Sequence, residues 1–350
     1  MAGGHPDRGR RWSPSDLLMP SESWRRSLAD GIGQLGRWFQ GRYGFEADEP
    51  TETVPADLYF DPDFMRGAIA ASHTVRPEFL FQDPPAPDTP ETEVDLDLRV
   101  AVSRVTRHYT ACLSVAAYTA LAHGVALDMS PRNCRLRTRL GLPFTLVLDH
   151  LGEGAVVTPE RSTPWRVTAP SVTTLAEARA HVWRTLYGTH LAPLFETVRR
   201  ITRVSRRLLW TNAAEWLGMI SDSADEYLAG AGRPYVEDRQ ALMKAPSLPQ
   251  VPGENPLRGL VVWDPVPDPR YPHGIHRRLA CCLTYRLEDR LGRLCQNCPL
   301  LTLDERLALV QERFGVRMGT GGGPAERQSI RRGLERITRS KRPGQALHGD

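Results

Sequence analysis

The chain lacks the features that define several large classes of protein. It has no apolar run of about eighteen residues, which excludes a membrane-spanning helix. It also lacks Gly-x-Ser-x-Gly, His-Glu-x-x-His and a convincing catalytic triad, the usual signatures of hydrolysis. There is no dinucleotide-binding fingerprint, and residues 319–324 lack the Lys-Ser/Thr of a phosphate-binding loop. The sequence therefore offers no standard machinery for nucleophilic or nucleotide-dependent chemistry.

The remaining composition is that of an ordinary globular protein. The chain has 350 residues, of which 41% are hydrophobic and 25% charged, with a formal net charge of +4. This length suits one large or two medium domains and is sufficient to bury about three quarters of the unfolded surface. The chain starts with a polar stretch rather than a secretory signal, so we expect a cytoplasmic protein.

Cysteine is scarce but concentrated. Four of the six cysteines fall within eighteen positions, namely Cys281, Cys282, Cys295 and Cys298. Their residue type and spacing leave three interpretations open: two local disulfides, a structural zinc site and a [2Fe–2S] cluster. The Cys-x-x-Cys pair is an ordinary half of a zinc ribbon, but two adjacent cysteines are not its other half. Adjacent side chains diverge on an extended strand, which suits two irons better than one tetrahedral ion.

The residues around these cysteines resemble a known family. Arg-Arg-x-x-Cys-Cys-Leu-x-Tyr followed by Cys-x-x-Cys-Pro-Leu, here within residues 277–300, is similar to the C-terminal signature of the FhuF-type ferric siderophore reductases. Twelve residues separate the two cysteine pairs, slightly more than in the family signature. Residues 205–214 and 103–131 also resemble family segments, so the resemblance covers about residues 60 to 310.

The resemblance implies a cofactor and an activity. It implies that the four cysteines hold a [2Fe–2S] cluster and that the chain reduces Fe(III) in a bound siderophore, expected to be a hydroxamate, by one electron. Hard anionic oxygens hold Fe(III) better than Fe(II), so this reduction releases the metal. Without a dinucleotide fingerprint, the chain needs a separate donor, ferredoxin-like or a flavin reductase. Two other functions stay open: a zinc-stabilised, non-enzymatic binding protein and a plain [2Fe–2S] electron carrier.

Several polar residues are candidates for tuning the cluster or binding the substrate. Arg277 and Arg278 precede the adjacent cysteines, and their charge favours the more negative, reduced state of a cluster. Asn212 matches a family segment, with helix packing as its alternative role. Arg206 belongs to a predicted stripe on one helical face that attracts an anionic chelate or donor, or is simply solvated. The other members of the stripe are Arg199, Arg203 and Arg207. His273 and His276 are further candidates for hydrogen bonds to the cluster.

The patterns predict an α+β fold, rich in helices, with a small antiparallel sheet and a C-terminal cysteine-rich [2Fe–2S] module. A long buried helix is predicted up to Ala122, a hairpin from residues 144–148 and 155–157, and a capping box from Thr302 and Glu305. Cys112 and Cys134 are expected to be ordinary thiols, in a helix and a basic turn. The predicted units are a polar extension (1–55), a helix-rich reductase-like domain (56–250), the cysteine module (251–315) and a flexible basic tail (316–350).

Both ends of the chain carry basic residues of the kind that can contact a membrane or an anionic partner. In the N-terminal extension, apolar residues recur at helical spacing beside arginines: Trp24, Leu28, Ile32, Leu35 and Phe39. Such a helix either docks on the protein or makes a peripheral contact with the inner membrane. Residues 326–342 carry seven basic and two acidic side chains. We expect a solvated tail there and no nucleic-acid partner.

Overall fold

The computed structural model is built mainly from helices. It describes residues 22–36, 39, 44–45, 52–73, 98–139, 142–148, 156–161, 171–202, 204–266, 271–286 and 294–318. Several predicted features lie outside these residues: the extension before residue 22, the loop at 288–293, the glycine-rich segment at 319–324 and the basic segment at 326–342.

The described helices and strands alternate irregularly along the chain. The helices are α1 (Glu22–Gln34), α2 (Pro62–His73), α3 (Leu98–Ala122), α4 (Leu175–Val182), α5 (Ala192–Thr202), α6 (Arg206–Leu228), α7 (Arg233–Lys244) and α8 (Leu303–Met318). A π-helical segment, Trp183–Leu191, joins α4 to α5. The strands are β1 (Gly44–Phe45), β2 (Val54–Pro55), β3 (Val125–Ala126), β4 (Cys134–Arg139), β5 (Leu142–Leu148), β6 (Val156–Val157), β7 (Ser171–Val172), β8 (Val261–Asp264) and β9 (Ile275–Arg278). This arrangement confirms the predicted helix-rich α+β fold.

Helix α3 lies at the centre of the core, as the long apolar pattern predicts. Its residues from Tyr109 to Ala122 are all buried, and it packs against α1, α2, α6 and β5. Small side chains let its neighbours approach closely. A Cβ on Gly31 of α1 would lie 3.1 Å from the Cγ2 atom of Thr119. The centre of the molecule is therefore fixed by contact between helices.

The sheets are small, and one predicted strand pairing is wrong. The largest sheet has the order β1-β5-β4-β2, with parallel β1 and β5 and the other pairs antiparallel. Strand β5 forms its hairpin with β4, whereas β6 pairs with β3 and β7. Only residues 140 and 141 separate β4 from β5, and so short a connection favours a hairpin. Cys134 accordingly opens a buried strand instead of lying in a basic turn.

Helix α1 belongs to the core. Its apolar face, formed by Leu28, Ile32 and Leu35, is buried together with Phe39. Arg25 is also buried, and its Nη2 atom donates to the carbonyl oxygen of Leu148 at 3.0 Å. Four of the five apolar side chains considered for membrane contact are therefore packed inside the protein, and for them docking is the arrangement observed. The side chain of Trp24 lies outside the part that the structure describes. No helix in the described part of the chain combines the length and apolar character that a membrane span requires.

The predicted arginine stripe is interrupted by a helix boundary. Helix α5 ends at Thr202, and α6 begins at Arg206 after Ser205, whose hydroxyl accepts from the Leu208 N–H at 3.2 Å. A serine that binds the amide of a first-turn residue marks a helix start. Arg199 is therefore on a different helix from Arg206, and Arg203 lies outside the described residues. The stripe does not form one helical face.

The C-terminal elements pack on α6 and carry the cysteines. Strands β8 and β9 form an antiparallel pair, and β9 contacts α6. Helix α8 starts with the predicted capping box, in which the Thr302 N–H donates to Glu305 at 2.7 Å and the Glu305 N–H donates to the Thr302 hydroxyl at 3.3 Å. Val310 of α8 packs with Ile275 of β9. The cysteine-bearing turns are thus held between α6 and α8.

Candidate metal centre

Two turns bring the cysteine pairs together beyond the end of β9. The strand ends at Arg278, so Cys281 and Cys282 do not lie on an extended strand as the sequence argument assumed. Leu283 has a φ of 63°, in the left-handed region that leucine rarely occupies, and it turns the chain directly after the adjacent pair. This local strain directs two neighbouring side chains toward one cluster of thiols.

The second turn carries the Cys-x-x-Cys pair. The N–H of Cys298 donates to the carbonyl of Cys295 at 2.9 Å, which closes the turn. The N–H of Arg278 donates to the carbonyl of Asn297, between these cysteines, at 3.1 Å. The end of β9 is therefore bonded directly to the second turn.

The four sulfurs form a row of contacts. Cys282 Sγ lies 3.6 Å from Cys295 Sγ and 3.0 Å from Thr284 Oγ1. Cys281 hydrogen-bonds both Cys282 and Cys298, so the order along the row is Cys298, Cys281, Cys282 and Cys295. Cys282 and Cys298 are buried, and the other two are partly exposed. All six cysteines of the chain are free thiols, so neither pair forms a disulfide.

The environment of Cys282 favours a thiolate. Its pKa lies well below the usual value because Cys281 and Cys295 donate hydrogen bonds to it and because Arg278 and Arg107 lie nearby. The pKa values of Cys281 and Cys295 are raised, since each donates to Cys282 and is desolvated. The positive charges of Arg107 and Arg278 thus lie close enough to Cys282 to stabilise its thiolate.

A single buried carboxylate organises these arginines. Glu215 of α6 accepts from Arg107 of α3 at 2.8 and 2.7 Å and from Arg278 at 2.6 Å. Its Oε1 atom also accepts from the side-chain amide of Asn297 at 2.6 Å. Burial raises the pKa of Glu215, but the charges of Arg107 and Arg278 outweigh this effect, and the net shift is downward. The group is therefore an ionised carboxylate between two guanidinium groups, with one positive charge in excess.

Asn212 acts on the site through Arg278. Its side-chain oxygen accepts from Arg278 Nη2 at 2.6 Å. Its amide nitrogen donates to the Ser103 carbonyl at 3.1 Å and to the Thr106 hydroxyl at 3.0 Å. Asn212 thus packs α6 against α3 and orients the guanidinium beside the thiols. The helix-packing role considered from the sequence is observed, whereas a role in tuning a cluster or binding a substrate stays a prediction.

Arg277 and Arg206 are placed differently from Arg278. Arg277 bonds Asp264 at 2.9 Å, and Asp264 also bonds Arg306. The hydrogen bond from Arg277 is the main reason that the pKa of Asp264 is lowered. Arg206 is exposed at the first position of α6, about 13 Å along the helix axis from Glu215. The structure does not bring Arg206 to the cysteines, and the charge of Arg277 is directed to Asp264.

A histidine links the second turn to an open cleft. The amide nitrogen of Asn297 donates to His276 Nε2 at 2.8 Å, so His276 carries its proton on Nδ1 and donates it to Asp222 at 2.6 Å. Asp222, Glu226 and Gln296 line a small, open cleft on this side of the cysteine turn. His276 is buried between the cleft and the turn.

The helical half of this site lies in a segment with a known family model. Residues 103–262 match the model described as ferric iron reductase FhuF-like transporter. This segment is FhuF-like. The FhuF-like segment includes Arg107, Asn212 and Glu215 and ends before Cys281. It therefore supplies the residues that surround the thiols, whereas the thiols themselves lie beyond it.

Other comparisons add little to the FhuF-like assignment. No curated protein matches the chain. Among solved structures, the aerobactin synthetase IucC from a hypervirulent pathotype of Klebsiella pneumoniae matches with 16% identity and a TM-score of 0.36. The match covers 46% of this chain and 34% of the synthetase, so the chain spans about a third of that protein. At this TM-score the likeness does not define the fold of the FhuF-like chain.

Sequence reasoning missed the residues that hold the site together. Glu215 and Arg107 pair across two helices, and neither is near the cysteines in the sequence. One signal was present: Glu215 is the single charged residue between Leu208 and Ile220, and a carboxylate in an apolar stretch needs a partner. Asn297 gave no signal beyond its position inside Cys-x-x-Cys.

The chemistry of the donor set suits a centre with soft ligands. Four thiols approach one another in a row, in the order from Cys298 to Cys295. No set of three or more His, Cys, Asp or Glu side chains in the described ranges is arranged as a metal-ion site. Four thiolates are the donor set both of a [2Fe–2S] cluster and of a structural zinc ion. The residue types present therefore fit either group.

Proposed function

We propose that the protein is a ferric siderophore reductase whose electron carrier is a [2Fe–2S] cluster held by Cys281, Cys282, Cys295 and Cys298. When bound, such a cluster supplies a reversible one-electron carrier. One electron enters from a separate donor and leaves to Fe(III) in the chelate, which becomes Fe(II), and no covalent bond is made or broken. We propose a hydroxamate chelate, because its hard oxygens hold Fe(II) weakly.

One observation carries the proposal: four thiols in mutual contact lie beside a buried cationic group in an FhuF-like chain. Arg107 and Arg278 share the carboxylate of Glu215, which leaves one uncompensated positive charge near Cys282. Four thiolates and an iron–sulfur core are more negative when reduced, so this charge stabilises the reduced state. The side chains thereby raise the reduction potential relative to a neutral environment.

The thiols are close enough to the surface for electrons to enter and leave. Cys281 and Cys295 are partly exposed, and Leu300, directly after the Cys-x-x-Cys-Pro turn, is 37% exposed. The donor is proposed to be a ferredoxin-like protein or a flavin reductase. The proposed location is the cytoplasm, where free thiols persist.

The proposal is tested on the full chain purified without oxygen. Iron, zinc and acid-labile sulfide are measured per chain, together with the visible spectrum and the EPR spectrum after reduction with dithionite. We expect two irons and two sulfides, a colour that dithionite bleaches, and a rhombic EPR signal. A ferric hydroxamate added to the reduced protein should restore the colour, while a ferrous-specific dye reports Fe(II).

Each alternative function gives a different result in the same assay. A colourless protein that holds one zinc ion, even after cluster reconstitution, would make it a zinc-stabilised binding protein. A cluster that is reduced normally but is not reoxidised by ferric hydroxamates would make it an electron carrier for another enzyme. A ferric chelate of a catecholate, added in parallel, tests the preference for hydroxamates.

A further inference from the structure

Both cysteine pairs are anchored to the same buried carboxylate. Arg278, three positions before Cys281, donates to Glu215 Oε2 at 2.6 Å. Asn297, inside the Cys-x-x-Cys pair, donates to Glu215 Oε1 at 2.6 Å. Each oxygen of Glu215 also accepts one bond from Arg107, at 2.8 and 2.7 Å. Each oxygen of Glu215 thus accepts one bond from Arg107 and one from a residue that adjoins a cysteine pair.

Asn297 makes three hydrogen bonds within this network. Its side-chain nitrogen donates to Glu215 and to His276 Nε2 at 2.8 Å, and its backbone carbonyl accepts from the Arg278 N–H at 3.1 Å. Asn297 is 2% exposed, so these contacts are protected from water. Hydrogen bonds to an ionised, buried acceptor are among the strongest that a protein forms. The second cysteine turn is therefore held through the Asn297 side chain and through one backbone bond to β9.

We infer that Glu215 and Asn297 are positioning residues, which set the separation between the Cys281–Cys282 pair and the Cys295–Cys298 pair. Glu215 acts from α6, the helix in the FhuF-like segment, on two turns that lie beyond that segment. Neither residue is a ligand of the cluster. Without them, each cysteine pair keeps its own turn, and the two pairs are connected only by the backbone bond between Arg278 and Asn297, which allows their separation to vary. The consequence for cluster binding rests on the proposed function. The positioning itself concerns only the distance between the two cysteine pairs and is present in the metal-free chain.

The positioning is tested on the reduced, metal-free full chain with dibromobimane, which bridges two thiols a few ångströms apart. Peptide mapping separates bridges between the two cysteine pairs from bridges within Cys281–Cys282. In the wild-type chain, we expect rapid bridging of Cys282 to Cys295, whose sulfurs are 3.6 Å apart. Two rates are measured: the rate at which the reagent bridges one cysteine pair to the other, and the rate at which it bridges Cys281 to Cys282. The ratio of the first rate to the second is the quantity that is compared. Only variants that fold by circular dichroism are compared, because unfolding would separate the two pairs while the adjacent cysteines stay close together, and would lower the ratio by itself.

Two variants separate positioning from folding. Asn297→Ala removes the anchor of the second turn but keeps Glu215 with both arginines, and Glu215→Gln removes the charge that holds all three donors. We expect the ratio to fall about tenfold in Asn297→Ala, since it loses the side-chain bonds to Glu215 and His276, and at least as much in Glu215→Gln. Gln296→Ala is the matched control, because Gln296 belongs to the same turn but faces the cleft. Its ratio should equal that of the wild type.

Each outcome decides the inference. If Glu215→Gln does not fold by circular dichroism, Asn297→Ala decides alone. A folded Asn297→Ala with a wild-type ratio would overturn the inference. Loss of folding in both variants would also overturn it, since the network would then serve the fold rather than the turn. A wild-type chain that never binds iron would refute the proposed function while the bridging ratio still reports positioning.

Discussion

In the proposed centre, all four thiols of the row from Cys298 to Cys295 are ligands. Serine at any of the four positions replaces a soft thiolate by a hard hydroxyl, and we expect iron and sulfide per chain to fall to background. The measurement is metal and sulfide analysis after anaerobic purification. Cys112→Ser and Cys134→Ser are the controls, because both thiols are buried in the main hydrophobic core. Equal loss of iron in all six variants would show that the ligand assignment is wrong.

A second prediction at the residue scale concerns a buried histidine far from the thiols in sequence. His190 is fully buried, with Nδ1 donating to the Met129 carbonyl at 2.6 Å and Nε2 accepting from the Tyr109 hydroxyl at 2.7 Å. Burial lowers the pKa of His190 to about 4, against smaller opposing effects of Met129, Asp128 and Asp57. The imidazole is therefore neutral in the folded protein at pH 7.

This shift makes the stability of the protein depend on pH. In the unfolded chain the imidazole takes up a proton near pH 6.5, and in the folded chain only near pH 4. The free energy of unfolding is therefore fully retained above pH 6.5 and decreases as the pH falls toward 4, by about 3 kcal/mol from this group. Urea titrations between pH 7 and 4 measure the decrease. His190→Gln keeps one donor and one acceptor but does not titrate, so its curve should be flatter across this range. Identical curves for both proteins would contradict the assignment.

At the scale of elements, the approach of α6 to β9 depends on one glycine. A Cβ atom on Gly218 would lie 2.6 and 2.7 Å from ring carbons of His276, whose ring is held by Asp222 and Asn297. The ring cannot move without breaking these bonds. We expect Gly218→Ala to lower the free energy of unfolding by about 1–3 kcal/mol, despite the better helix propensity of alanine.

Gly67 provides the matched control for this prediction. It lies in helix α2, is exposed, and a Cβ there would meet no atom within 4 Å. Gly67→Ala should therefore raise the free energy of unfolding by about 0.5–1 kcal/mol. Denaturant titrations of both variants measure the difference. A stabilised Gly218→Ala would show that β9 does not pack as closely on α6 as the structure describes.

The elements also show where sequence reasoning succeeds. The apolar run up to Ala122 and the pair Thr302 and Glu305 predicted a buried helix and a helix start correctly, because both signals are local. The strand pairing of residues 144–148 was wrong because the choice of partner is tertiary. The alternation in residues 134–139 was nevertheless visible in the sequence. The helix start at Ser205 was a local signal as well, and it interrupts the predicted arginine stripe.

For the site as well, local features could be predicted from the sequence, whereas contacts between distant segments could not. Cysteines at short spacing are visible in a sequence, and so was the proximity of Arg278. The partners that orient them come from distant segments: Arg107 and Glu215 are 108 positions apart, and Glu215 and Asn297 are 82 apart. Such a buried network becomes apparent only when the helices are packed together. This is why Asn212 was identified by its family segment, while its bond to Arg278 was not predicted.

At the scale of the whole molecule, the cysteine turns are not an independent appendage of the helical core. Leu257 and Leu260, which precede β8, and Val261 at its start belong to the main core, and β9 lies on α6. The buried ion pair of Glu215 with Arg278 crosses the same boundary. Breaking one partner of such a network typically costs about 3–5 kcal/mol. The boundary predicted at residue 250 therefore does not mark a gap in packing.

This continuity predicts that the cluster and the helices are lost together. In guanidinium titrations of the cluster-loaded full chain, the visible absorbance of the cluster and the far-UV circular dichroism of the helices should change with the same midpoint. Because the cluster binds the folded chain, the metal-free Cys298→Ser variant should unfold at a lower denaturant concentration. Loss of visible absorbance while the helices remain intact would instead show that the turns unfold locally. In that case the contacts of β9 and Glu215 would be too weak to couple the cluster to the FhuF-like segment.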